Sequence, residues 1–122
     1  MMTGTITNRR AHLVRPVRGA GGSGNVEFTI DTGYTALLTM PPTYCTALKL
    51  KFVQRDRSFL ADGSFVWTNT YEVIIDWDGE EREVDVIAIE SDPLIGMTML
   101  YGYRMEMDVR ENGVVRIEKS AP

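Results

Sequence analysis

Apolar and polar residues alternate along most of this chain, and the alternation marks strands. Across Asn25–Ile30, Val26, Phe28 and Ile30 fall on one face and Glu27 and Thr29 on the other, the period of a half-buried strand. The longest such run is Phe65–Trp77, where Phe65, Trp67, Tyr71, Val73, Ile75 and Trp77 share a face. Met105, Met107 and Val109 alternate with Glu106, Asp108 and Arg110. Gly4–Asn8, Ala11–Val17, Ala36–Met40, Leu50–Arg57, Glu83–Ile89 and Val114–Glu118 bring the expected strands to nine. Pro16 marks an edge or a strand end. Two short helices are expected, Pro42–Leu48, which a proline can open, and Met97–Tyr101. Asp78-Gly79 is a hairpin signal and Asn112-Gly113 a type I′ one. The run Gly19–Gly24 reads as a flexible turn. Short strands with turns at this spacing imply a closed or folded-over β architecture.

Length and charge narrow the function. The 122 residues suit a single domain, 1–122. Net charge is −4 and no basic run exceeds Arg9-Arg10, which argues against a nucleic-acid surface. The longest apolar runs are four or five residues, too short for a membrane helix. The N-terminus lacks the apolar stretch of a secretory signal. The lone Cys45 excludes an intrachain disulfide, so a reducing, cytoplasmic setting is expected.

Chemistry concentrates where the strand-like run Phe28-Thr29-Ile30 ends in Asp31-Thr32-Gly33. A carboxylate at the end of a rigid strand, beside a hydroxyl and a glycine, is well held and closely approachable, as a general acid or base must be. The same tripeptide also makes a plain turn. A second segment, Leu94-Ile95-Gly96 followed by a helical pattern, lies about sixty residues on.

In order and spacing these two segments resemble the retropepsin-like aspartic proteases, most closely the small prokaryotic members of clan AA. The resemblance implies an all-β fold, a retropepsin-like closed acid-protease barrel with one or two short helices, assembled as a homodimer. It implies an aspartic endopeptidase in which Asp31 from each subunit activates a water, with no metal and no cofactor. Thr32 would tie the two catalytic loops together, Gly33 would let the backbone approach a polypeptide substrate, and Leu94, Ile95 and Gly96 would support the loop. Ala61, Asp62, Gly63, Ser64 and Phe65 look like the flap, and Asp62–Trp67 is expected to be a mobile hairpin over the cleft. The alternative is a non-catalytic domain of the same fold that binds peptides or mediates dimerisation. Two positions depart from the family pattern: Tyr34 stands where a small Ala or Ser is usual, and Thr98 where Asp or Asn is frequent.

Other signals are weaker. Gly19–Gly24 satisfies G-x-G-x-x-G, but a period-two strand follows it where a dinucleotide site needs a helix. His12 and Cys45 are too few for a zinc site. The acids Asp76, Asp78, Glu80, Glu81 and Glu83 flank a hairpin without the spacing of a calcium loop. Met97, Met99, Met105 and Met107 are expected to fill the core.

Overall fold

Strand follows strand from the second residue onward. The computed structural model describes residues 1–121. In chain order its elements are β1 Met2–Thr7, β2 Arg10–Gly19, β3 Gly22–Ile30, β4 Leu38–Met40, α1 Pro42–Ala47 and β5 Lys51–Phe59. They continue as β6 Phe65–Trp77, β7 Glu80–Ala88, β8 Leu94–Ile95, α2 Met97–Leu100, β9 Tyr103–Met107 and β10 Val114–Lys119. The two short helices stand where the sequence places them. The tenth strand is β8, which the sequence marks as a motif without marking it as a strand.

All ten strands join in the order β5-β6-β7-β4-β8-β3-β2-β1-β10-β9, with one further pairing between β6 and β2. That pairing bends β2, β3, β8, β4, β7 and β6 into a ring. The ring closes unevenly, through only Val17↔Ile75 and Arg18↔Ile74. On that side of β2, β1 holds residues 10–12 and β6 holds residues 17–18, and Pro16 falls in the gap between them. The Arg15 guanidinium spans the same gap, donating to the Asp76 backbone oxygen at 2.8 Å and to its carboxylate at 2.6 Å. Among the acids of the β6–β7 hairpin, Asp76, Asp78 and Glu81 thus have cationic partners: Arg15, the N-terminal ammonium and Arg18.

Alternation puts one face of each long strand inside. Leu13, Phe28, Ile75, Trp77, Val86, Ile95, Val115 and Ile117 are fully buried. The apolar face of β6 outlasts the barrel, however. Val73, Ile75 and Trp77 are core residues, while Phe65 and Trp67 on the same face are exposed, because β5 and the first half of β6 stand out as a two-stranded arm. Of the methionines, Met99 is buried and Met105 and Met107 pack on the core, but Met97 is exposed.

Three turns differ from expectation. The glycines 19–24 are strand at both ends around a two-residue turn, Ala20-Gly21. That turn is held, not loose. The Gly21 N–H donates to Leu48 O at 2.8 Å, and a Cβ on Gly19 would stand 2.4 Å from the same oxygen. Asn112-Gly113 is not a two-residue hairpin. Residues 108–113 form a longer connection in which the Asn112 N–H donates to Ile6 O and the Ile6 N–H donates to Gly113 O. Bonding to β1 there outweighs the local turn preference, and the expected strand stops at Met107. A two-residue hairpin does form at Asn8-Arg9, with φ of 52° and 63°, and at Asp78-Gly79, with φ of 56° and 87°.

Candidate functional site

β3 delivers Asp31 to the barrel rim. It pairs in parallel with β8, Thr29 opposite Leu94 and Ile30 opposite Ile95. On its other side β8 pairs antiparallel with β4, Leu38 opposite Ile95. The two-residue strand β8 therefore lies between the strand that enters the Asp31 loop and the strand that leaves it. Every rung is backbone. Asp31 N–H donates to Ile95 O at 2.9 Å, Gly96 N–H to Leu37 O at 2.8 Å, Met97 N–H to Tyr34 O at 2.7 Å and Thr98 N–H to Ala36 O at 3.2 Å. A buried threonine, Thr39, accepts the Leu94 N–H on its hydroxyl at 3.0 Å.

Gly96 is required by contact. Its φ of −98° is open to any residue, but a Cβ there would lie 2.2 Å from Ala36 O and 2.8 Å from Tyr34 O. No side chain fits between those carbonyls.

The two departures from the family pattern have visible roles in the loop. Tyr34 lays its ring against Gly96, with Cδ2 at 2.7 Å from where a Cβ would stand. Burial pushes its phenol above the ordinary value, and the hydroxyl is buried without a partner among the described residues. The Thr98 hydroxyl donates to the Thr35 carbonyl. Each ties α2 or β8 to the loop, so support comes from Tyr34, Thr39 and Thr98 as well as from Leu94, Ile95 and Gly96. Only the register of β8 reveals this; periodicity gives no sign of it.

At the tip, Asp31 is half-buried and Thr32 and Gly33 are exposed. The Gly33 N–H donates to Asp31 Oδ1 at 2.9 Å, and the Tyr34 N–H to Asp31 O at 3.1 Å. One carboxylate oxygen is thereby fixed. The other meets no protein donor among the described residues and can face a water. Asp31 borders an open hollow of about 440 Å³. Arg10 and Asp92, paired at 3.1 Å, line the same hollow.

The segment that the resemblance marks as a flap lies at the tip of the β5–β6 arm. Residues 60–64 turn, closed by Leu60 N–H to Ser64 O at 2.8 Å, and Gly63 has φ of 87°. The Asp62 carboxylate accepts the Ser64 hydroxyl and N–H, and these bonds lower its pKa from the ordinary aspartate value. Phe65, Val66 and Trp67 are the first residues of β6, where the alternation places a strand, and form one side of the hairpin whose turn is residues 60–64. The turn makes no hydrogen bond to the Asp31 loop among the described residues. The root of the arm does approach it: Gln54, Asp56 and Thr70 share a cavity of about 360 Å³ with Tyr34, Ala36 and Leu38. Gly63→Val should strain the turn by about 1–2 kcal/mol, lowering turnover in a peptidase assay while the melting transition stays cooperative. Unchanged turnover would make the arm tip a bystander.

No family model, no curated protein and no solved structure matches the chain.

The one cysteine and the one histidine lie outside this loop. Burial raises the Cys45 thiol to about 11, which leaves it protonated and inert at neutral pH. His12 lies on β2, with Nδ1 3.2 Å from the Glu27 carboxylate on β3.

Proposed function

We propose that this chain is an aspartic endopeptidase of the retropepsin-like kind, active as a homodimer that brings Asp31 of each subunit to a two-fold axis. The observation that carries this reading is the way Asp31 is held: at a strand end, with its loop braced by β8 and Gly96 on backbone hydrogen bonds. A turn aspartate needs no such support, whereas a catalytic carboxylate does. The exposed Thr32 and Gly33 favour the same reading, since they leave the loop tip open to a second copy.

The chemistry follows from half a site. Water-mediated peptide hydrolysis of this type uses two carboxylates that share one proton; the aspartic protease pair is the standard instance. The chain has one Asp-Thr-Gly, so the second carboxylate comes from the partner by symmetry. The ionised member takes a proton from the shared water, and the water attacks the scissile carbonyl. The protonated member stabilises the developing oxyanion and then protonates the leaving amine. A domain of the same fold that binds peptides without cutting them would share the loop but show no turnover.

Activity per chain should fall when the protein is diluted below the dimer dissociation constant. A peptide pool assayed between about pH 3 and 7, with sedimentation at the same concentrations, tests this. Constant specific activity in a demonstrably monomeric sample refutes the shared site.

A further inference from the structure

Building on the endopeptidase reading, we infer that the cavity between the Tyr34–Leu38 loop and the root of the β5–β6 arm is a substrate subsite for a lysine or arginine side chain. Its walls suit an aliphatic stem with a cationic end. Ala36, Leu38 and Ile87 give an apolar lining, and Asp56 and Asp85 add two carboxylates. Its volume, about 360 Å³, is many times the share of about 30 Å³ that one water takes up.

Alternation explains why the charge there has one sign. In Arg55-Asp56-Arg57 the two arginines fall on one face of β5 and the aspartate on the other. Arg55 stacks over Trp67 at 4.7 Å, and Arg57 stacks over Phe65 at 5.2 Å. Both cations are thus engaged on the aromatic face of the arm, and Asp56 lies on the cavity side without either. Among the described residues, no Lys, Arg or His lines the cavity, and neither Asp56 nor Asp85 forms an ion pair. Among the described residues, the Asp56 carboxylate accepts only the Gln54 amide, at 2.6 Å.

The cavity adjoins the proposed catalytic loop. Tyr34 lines it and belongs to the loop that carries Asp31, so a side chain seated here belongs to a chain passing the carboxylate.

The test is a peptide scan by fluorescence anisotropy on Asp31→Asn protein, which binds without cutting. Each position of one labelled peptide is varied among Lys, Arg, Leu and Glu. At one position Lys and Arg should bind about fivefold tighter than Leu, the scale of a solvent-accessible ion pair, and Glu should bind weakest. Added salt should shrink the difference. Asp56→Asn with Asp85→Asn should bring the Lys-to-Leu ratio to about one. No preference for a cation at any position, no binding of any peptide, or a preference that survives the double variant overturns the subsite. Wild-type cleavage is scored separately. Cutting without a cation preference removes the subsite alone, and cation-selective binding without cutting removes the endopeptidase reading alone.

Discussion

Asp31→Asn should reduce peptide cleavage by at least about a thousandfold, within the range for loss of a general acid–base, while the protein still folds and dimerises. The exchange is nearly isosteric. The amide oxygen of asparagine can still accept the Gly33 N–H, a bond of 2.9 Å in the wild type. The Asp31 N–H bond to Ile95 O is backbone and does not depend on the side chain. The loop therefore stays in place while the proposed base and its proton disappear from both halves of the proposed dimer. Replacing the proposed one-proton carboxylate pair by two neutral amides removes like-charge repulsion from the axis, so dimer affinity should be unchanged or higher. Cleavage rate, thermal melting and sedimentation on one preparation separate these effects. Retained cleavage would place the catalyst elsewhere, and lost folding would give Asp31 a structural role.

Gly96→Ala should cost about 3 kcal/mol of stability, from roughly 1–3 kcal/mol of overpacking and about 1 kcal/mol for each hydrogen bond that must move. The added methyl would meet Ala36 O at 2.2 Å and Tyr34 O at 2.8 Å. Those carbonyls accept the Thr98 and Met97 N–H groups, so the loop cannot retreat without breaking the bonds that hold it. Backbone strain contributes nothing, because Gly96 is in the extended region. Gly24 is the control: a Cβ there meets nothing within 4 Å, so Gly24→Ala should be within about 0.5 kcal/mol of wild type. Urea unfolding of both variants measures the contrast. Equal midpoints would mean that β8 and the Asp31 loop are not packed as described.

Elements written in local patterns were legible from sequence. The alternation in Phe65–Trp77 gave β6 to the residue, and Asp78-Gly79 gave its turn. What escaped depends on neighbours distant in sequence. The strand β8 has only two residues and exists because β3 and β4 flank it; no two-residue run carries a period. Asn112-Gly113 was overruled by pairing with Ile6, more than a hundred residues away. Asn8-Arg9 makes a hairpin although arginine is no turn residue, because β1 and β2 hold it on both sides. For the site, the nearness of Asp31-Thr32-Gly33 to Leu94-Ile95-Gly96 was readable as two motifs in order. The parts played by Tyr34, Thr39 and Thr98 were not, since each acts through a carbonyl or N–H that only the β8 register brings close. Phe65 and Trp67 show the converse failure: their apolar period is real, but the core ends before it does.

Subunit mixing reads out whether one site is built from two Asp31 side chains, as proposed. Wild-type and Asp31→Asn chains are combined at fixed total concentration, allowed to exchange, and assayed across mixing ratios. A mixed dimer holds one Asp31 and lacks the pair, so activity should follow the square of the wild-type fraction, with about one quarter remaining at an equal mixture. Activity that falls in direct proportion, with about one half remaining, would mean that each chain works alone and that no site is shared.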